Sequence, residues 1–312
     1  MNPALSVIFF TTLSGAGYGL LLWTAVGALL QQPARGLLVS LLLALVLVTA
    51  GLLSSLAHLG QPQRAWRALS QWRTSWLSRE GVAALLTYPA ALCLGLALLP
   101  AMVSGERTAA TVGLGAVGIA CAVVLIAMAL ATVACTAMIY ASLKPVPAWR
   151  HWLVLPVYLL FALYCGGLLA LGFAGVGPMG PSWILPSLGA LGLVAFKWRY
   201  WRAIDAPLPL ARGDAVGLPA RDVVLFERPM TESNYITREM AFVVARKHAR
   251  RLRGIALVLI AVVPVACLLV AAGTDTLRTS WCIAAAVSAL AGAFVERWLF
   301  FAEARHLVTL YY

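Results

Sequence analysis

Long apolar stretches dominate this 312-residue chain, and they limit its possible folds more than any other feature. A helix needs about 20 apolar residues to cross the hydrocarbon core of a bilayer. Eight stretches approach or exceed that length, at residues 5–30, 37–57, 81–103, 110–141, 152–175, 183–198, 254–273 and 279–301. In lipid, a helix satisfies all of its backbone hydrogen bonds internally. The sequence therefore predicts an all-α polytopic membrane protein with eight transmembrane helices.

Composition supports this class and excludes others. Hydrophobic residues make up 62% of the chain and charged residues 11%, whereas a soluble domain has about 25% charged residues. A soluble enzyme, a disordered chain and a nucleic-acid-binding domain are therefore excluded. The net charge of +12 is better explained by basic cytoplasmic loops than by a nucleic-acid partner.

The distribution of Lys and Arg predicts the orientation. Nineteen of them lie in the terminal segments and loops on the side of both termini, and three (Arg35, Arg107 and Arg278) lie on the other side. The positive-inside rule then places both termini in the cytoplasm. We expect the protein in the cell inner membrane. Residues 197–253 are predicted to be a long cytoplasmic loop and a candidate docking segment. The basic end of this loop can instead rest on lipid headgroups.

The predicted helices carry few groups suited to transport or to metal binding. With these boundaries, the first seven helices have no ionisable residue near mid-span, which argues against an ion-coupled transporter or a proton pump. His58, His151, His248 and His306 all lie at helix ends on the predicted cytoplasmic side, which does not suit a transmembrane haem. The six cysteines lie in apolar runs without a CxxC pair, so we expect no zinc or iron–sulfur site in this chain.

Polar residues instead converge at the predicted cytoplasmic ends of several helices. A quinone headgroup would suit them, because it needs an apolar pocket with a few polar groups. A histidine can exchange protons with the quinone, and an arginine can stabilise negative charge on its oxygen. Singly, Arg, Trp and Tyr at this level also fit an interfacial belt. Glu296 and Arg297 lie inside the apolar run of the eighth predicted helix. Because charges in such a position are usually paired or functional, we expect the same of these two residues. The candidate quinone-binding residues are His58, Arg64, Trp76, Tyr140, Glu296 and Arg297.

A family resemblance begins at the end of the second predicted helix. The run His58-Leu59-Gly60-x-Pro62-x-Arg64-Ala65 resembles the membrane-anchor subunits of dimethyl sulfoxide reductases. The layout of the whole chain is similar to that family as well. Supporting matches are Phe9-Phe10-Thr11, Tyr140 with Val146-Pro147-x-Trp149, and Arg297 with Phe300.

The resemblance implies a role within a complex. Such anchors hold a molybdopterin catalytic subunit and an iron–sulfur subunit at the membrane and exchange electrons with quinone. They carry no redox cofactor of their own. By resemblance, His58 and Arg64 correspond to quinol-site positions, whereas Trp76, Tyr140, Glu296 and Arg297 are added from their location. We expect the eight helices to pack as two four-helix bundles.

The predicted orientation separates the possible roles. A cytoplasmic docking face and a long 197–253 loop resemble the anchor of cytoplasmic, quinone-reducing sulfite dehydrogenases more than that of periplasmic reductases. Sulfite oxidation is therefore the first functional hypothesis. A quinol-fed reductase of a sulfoxide is the alternative within the family. A secondary transporter, with a site of Ser, Thr and aromatic residues, is the alternative from another class.

Overall fold

The computed structural model describes residues 3–57, 59–103, 114–174, 183–206, 210–219, 221–224, 226–227, 244–274 and 276–311. Within these ranges, the regular structure is helical and no β-strand occurs. Eight long helices are α1 Leu5–Leu29, α2 Ala34–Leu56, α3 Trp76–Val103, α4 Gly115–Ala141, α5 Val154–Leu169, α6 Ile184–Ile204, α7 244–273 and α8 Arg278–Ala302. A π-helical turn extends α5 to Ala174, and another interrupts α7 at Val258–Val262.

The all-α membrane fold is confirmed. Seven helices in the described part of the chain are long and apolar enough to cross a membrane. The exception is α6, whose C-terminal part carries Lys197, Arg199 and Arg202. Its 21 residues still extend over about 31 Å, so the predicted number of eight helices is consistent with the structure.

The largest differences between predicted and observed boundaries are in α3, α6 and α7. Helix α3 begins at Trp76 rather than at 81, which places Glu80 inside the helix. Helix α6 continues past 198 to Ile204, and α7 is helical from 244 onward rather than from 254. Residues 197–204 and 244–253 of the predicted loop are thus helical. A helix end predicted from apolarity falls at the first charged residue. The helix itself continues past that residue wherever the packing accommodates the charged side chain.

The helices pack in two groups of four. In the first group, α2 contacts α1 and α3, and α4 contacts α3 and α1. In the second, α5 contacts α6 and α8, and α7 contacts α6 and α8. The groups meet where α1 packs on α5 and α8. Two-thirds of the α1 span (67%) is buried, against 33% for α2, α3, α4 and α7, so α1 lies at the centre of the protein.

Neighbouring helices within the groups run antiparallel. The Ser54 hydroxyl near the end of α2 donates to the Ser6 carbonyl at the start of α1. The Trp149 indole, just before α5, donates to the Phe300 carbonyl near the end of α8. Odd-numbered helices therefore begin, and even-numbered helices end, at one end of the protein, which we call the proximal end.

Two glycines allow α1 and α5 to cross closely. A Cβ atom on Gly19 would overlap the backbone of Ala162, and one on Gly166 would overlap the backbone of Gly19. Small residues at helix crossings let backbones approach in membranes, where association depends on van der Waals packing. This crossing joins the two four-helix groups.

Replacing Gly19 with alanine is expected to destabilise the protein by about 1–3 kcal/mol, because the added methyl group forces the helices apart. Thermal unfolding in detergent measures the effect. Gly254→Ala is the matched control, since a Cβ there meets nothing within 4 Å. Equal unfolding temperatures for the two variants would contradict the proposed role of the crossing.

Candidate functional site

A cluster of three charges lies buried between α6 and α8 near the proximal end. Lys197 Nζ is 2.5 Å from Glu296 Oε1, and Arg297 Nε is 2.9 Å from Glu296 Oε2. The exposed fractions of Lys197, Glu296 and Arg297 are 2%, 0% and 3%. Buried charges are costly unless they are paired. Because two cations surround one carboxylate, the cluster retains one positive charge.

Aromatic rings surround both cations. The Arg297 guanidinium carbon is 3.9 Å from the centre of the Tyr158 ring and 5.1 Å from that of Phe161. Lys197 Nζ is 4.2 Å from the centre of the Tyr200 ring and 4.9 Å from that of Trp201. A cation over an aromatic face is stabilised by the ring quadrupole. These rings therefore supply part of the stabilisation that water would otherwise provide.

Arg297 also lines a narrow cavity between α1, α4, α5 and α8. Its volume is about 20 Å³, close to the space that one water-sized group requires. Among the residues that line it are Thr11, Thr12, Ser14, Tyr18, Thr136, Tyr158 and Arg297. A single oxygen atom fits the cavity as it stands, and a whole ring enters only if the lining side chains move apart.

Several buried donors around this cavity have no hydrogen-bond partner within the described part of the chain. They are both terminal nitrogens of Arg297 and the hydroxyl of Thr12. The hydroxyls of Tyr158, beside Arg297, and of Tyr18, beside Thr87 and Thr132, also lack a hydrogen bond of good geometry, but each has another polar side chain close to it. Leaving buried polar groups unpaired is costly, and native proteins seldom do so without a reason. The guanidinium nitrogens can only donate. The cavity is therefore suited to an acceptor such as a carbonyl oxygen.

Glu80 approaches the same cavity from α3. Its side chain is buried and accepts a hydrogen bond from the Thr136 hydroxyl, and Thr136 lines the cavity. A carboxylic acid can hold or release a proton beside a bound ligand. The cavity therefore has an arginine on one helix and an acid, linked through Thr136, on another.

A second group of charges lies closer to the proximal surface. The Arg253 guanidinium on α7 donates to both oxygens of Asp205, at 2.7 and 2.8 Å, and to Glu303 Oε1 at 2.9 Å. The hydrogen bond from Arg253 lowers the pKa of Asp205. Burial raises the pKa of Glu303, although Arg253 opposes this. Two carboxyls on one arginine therefore differ in their affinity for a proton.

The predicted site residues fall into three sets. Glu296, Arg297 and Tyr140 lie together, because Tyr140 stacks on Tyr158, whose ring contacts Arg297. Arg64 and Trp76 do not line the cavity. The first is exposed on the 3₁₀-helix Pro62–Gln71, and the second lies beneath Arg79. His58 lies outside the described residues, so its role stays a prediction, as do those of the other five.

The matching residues of the supporting motifs form one aromatic cluster. Tyr140 contacts Trp149 and Phe300, with ring centres 5.5 and 5.8 Å apart. The indole N–H of Trp149 donates to the backbone carbonyl of Phe300. This cluster packs the loop between α4 and α5 against the end of α8, beside Arg297.

Sequence reasoning misses Lys197, Glu80 and Tyr158. The pattern around Lys197 predicts an interfacial anchor and that around Glu80 a loop, because both neighbour other charged or polar residues in the sequence. The sequence does indicate that the helix continues through Lys197, because no Pro or Gly separates this residue from the end of the apolar run of α6. Nothing in the sequence distinguishes Tyr158 from other aromatic residues in a membrane helix.

A larger cavity lies towards the distal end, between α1, α5 and α6. Its volume is about 420 Å³, and its walls include Leu22, Trp23, Leu160 and Leu185. The indole N–H of Trp23 already donates to the Leu163 carbonyl. The lining residues in the described part of the chain include no ionisable side chain except the phenol of Tyr164, which donates to the Ile260 carbonyl. The proximal cavity is therefore the candidate functional site.

Comparison with known proteins places this architecture in a family. The family model of the DMSO reductase anchor subunit (DmsC) matches residues 1–302. The chain is 34% identical over 333 aligned positions to a sulfite dehydrogenase subunit from Allochromatium vinosum, with 100% of this chain and 99% of that protein covered. The family model matches nearly the full length of the chain, and the helical membrane architecture agrees with it: the chain belongs to the DMSO reductase anchor subunit family.

Proposed function

We propose that this anchor subunit binds quinone at the proximal cavity and passes electrons between an iron–sulfur partner subunit and the quinone pool. The observation that carries the proposal is the set of unpaired donors around the cavity, which includes both terminal nitrogens of Arg297. A quinone carbonyl is an acceptor that reaches such a site through lipid. The protein itself performs no oxygen-atom transfer.

The residues divide the chemistry of quinone reduction between them. Adding two electrons places negative charge on the carbonyl oxygens, and two protons then complete the quinol. The uncompensated positive charge of the Lys197–Glu296–Arg297 cluster stabilises that negative charge where it develops. The Tyr158 and Thr12 hydroxyls can donate to the oxygen or accept from the quinol. Glu80, hydrogen-bonded through Thr136, is placed to exchange a proton.

The loop between α2 and α3 completes the proposed site. His58 and Arg64 correspond by resemblance to quinol-site positions, and this loop adjoins the start of α3, which carries Glu80. Trp66 and Trp72 are exposed on it, and the Arg67 and Arg73 guanidinium groups lie over their rings. We assign this surface to contact with lipid headgroups or the iron–sulfur subunit.

The proposed complex contains a molybdopterin catalytic subunit, an iron–sulfur subunit and this chain. Sulfite oxidation with quinone reduction is the proposed reaction, because the relative from Allochromatium vinosum is a sulfite dehydrogenase subunit. Orientation of the proximal end towards the cytoplasm follows from the positive-inside rule. The redox centres are assigned to the partner subunits.

Purification from native membranes in mild detergent tests this function. We expect molybdenum and iron to copurify with the chain and the complex to reduce a short-chain ubiquinone with sulfite. Metals without sulfite activity would retain the anchor role and redirect the substrate search to sulfoxides fed by quinol. A chain isolated without metals, under conditions that preserve such complexes, would favour the transporter alternative.

A further inference from the structure

The two charge groups near the proximal end form a ladder that leads from the surface towards the cavity. Asp205, Arg253 and Glu303 make up the outer group, and Asp205 has 59% of its side chain exposed. Glu303 directly follows α8, and Glu296 lies about two helical turns before it. Two turns separate the two residues by about 10 Å and keep them on the same face.

A single indole ring connects the outer and inner groups. The Arg253 guanidinium carbon lies 5.3 Å from the centre of the Trp201 ring, and Lys197 Nζ lies 4.9 Å from it. Lys197 then contacts Glu296, which contacts Arg297 at the cavity wall. The ladder therefore brings α6, α7 and α8 together, with the Trp201 ring between its outer and inner groups.

Among the three residues of the outer group, Glu303 has a buried side-chain oxygen without a hydrogen-bond partner in the described part of the chain. Its Oε1 accepts from Arg253, whereas its Oε2 is buried without a hydrogen-bond partner among the described residues. Arg253 is already engaged by both oxygens of Asp205, so the outer group has one negative charge in excess. A proton on Oε2 removes that excess.

We propose that Glu303 loads protons from the proximal surface and delivers them through Lys197 and Glu296 to the quinone at the Arg297 cavity. This rests on the proposed function. For each proton delivered, Lys197 gives its proton to Glu296 and regains one from Glu303 through water that enters beside the Trp201 ring. Glu296 passes its proton to the ligand oxygen by way of the Tyr158 hydroxyl. One such transfer and the proton exchanged at Glu80 together match the two electrons that reduce one quinone, and Glu303 and Glu80 are then reprotonated from water.

The charges that face Glu303 determine its behaviour with pH. They are Arg253 from α7, Lys197 from α6, and Asp205 just beyond α6. Burial raises the pKa of Glu303, so the protonated form persists to a higher pH than for a solvent-exposed glutamate. Proton delivery is therefore expected to be complete at low pH and to decline as the pH rises through that raised pKa.

Glu303→Gln in the intact complex tests the proposal, because glutamine keeps the acceptor for Arg253 but carries no exchangeable acid proton. We expect reduction of a short-chain ubiquinone to slow on the order of 100-fold. Reduction of a soluble dye that takes electrons from the partner subunits is expected to stay unchanged. Small weak acids added to the buffer are expected to restore part of the quinone rate, which a purely structural role would not allow.

Asp205→Asn is the matched control. It removes the other carboxyl on the same arginine, but Asp205 has a lowered pKa and stays ionised, so it cannot act as a donor near neutral pH. We expect this variant to keep a near-wild-type quinone rate at low pH. Its rate is expected to decline at a lower pH than in the wild type, because the charge of Asp205 helps to raise the pKa of Glu303. Infrared spectra of the isolated chain are expected to show a protonated carboxyl band that Glu303→Gln removes.

Failure of the proton route and failure of the proposed quinone function give different results in these assays. A wild-type complex that reduces the dye but never quinone would overturn the proposed function and the proton route together. A quinone-active wild type with an unchanged rate and pH profile in Glu303→Gln would overturn the proton route alone. A slow variant that weak acids do not rescue, with the dye rate lowered equally, would assign Glu303 to structure.

Discussion

Replacing Arg297 with glutamine is expected to lower quinone turnover by about 100- to 1000-fold, the usual cost of removing a donor that stabilises a developing oxyanion. The variant takes away the uncompensated positive charge and the unpaired guanidinium nitrogens at the cavity. Lys197 and Glu296 remain as a neutral pair, so the substitution leaves no isolated buried charge. The loss is therefore expected in turnover rather than in assembly.

Parallel assays of one purified complex measure this effect. The rate of sulfite-driven reduction of a short-chain ubiquinone measures electron transfer at the cavity. The rate of dye reduction measures the activity of the partner subunits, and the molybdenum and iron content measures assembly of the complex. Arg297→Lys is the informative companion, because it keeps the charge but loses the planar set of donors, and an intermediate rate is expected. Normal quinone kinetics in Arg297→Gln would show that the quinone binds elsewhere.

Replacing Glu296 with glutamine is expected to destabilise the protein by about 3–5 kcal/mol, the cost of breaking a buried ion pair from one side. The substitution leaves Lys197 and Arg297 buried with no anion between them, although their separations from Glu296 are only 2.5 and 2.9 Å. The free energy of unfolding in detergent and the amount of protein in the membrane measure the loss.

A double variant provides the control. Lys197→Met combined with Glu296→Gln removes one charge of each sign, so one buried cation rather than two then lacks an anion. It is therefore expected to recover part of the stability. Lys197→Met alone leaves the Glu296–Arg297 pair and is expected to cost less than Glu296→Gln. Effects that simply add would contradict a shared buried network, since interacting residues show coupling.

Resemblance and apolarity pointed to several residues that the structure brings together, but they did not predict the contacts of those residues. The motif residues Tyr140, Trp149, Arg297 and Phe300 lie in two distant parts of the sequence, and the structure brings all of them to the end of α8. Glu296 and Arg297 could be singled out because charges inside an apolar run are rare. Their partner Lys197 could not, because a lysine beside Trp198 and Arg199 has the pattern of an interfacial anchor.

The apolar stretches by themselves determined the class of this protein, since chains that place so many consecutive apolar residues in lipid must hydrogen-bond their backbones as helices. They also determined, to within a few residues, most of the helices. Only the tertiary structure decided which charges are buried and paired. The distance between Lys197 and Glu296 depends on how α6 packs near α8, and the cavity at Arg297 depends on how α1, α4, α5 and α8 pack around it. Such contacts join residues far apart in the chain, and periodicity along one helix carries no information about them.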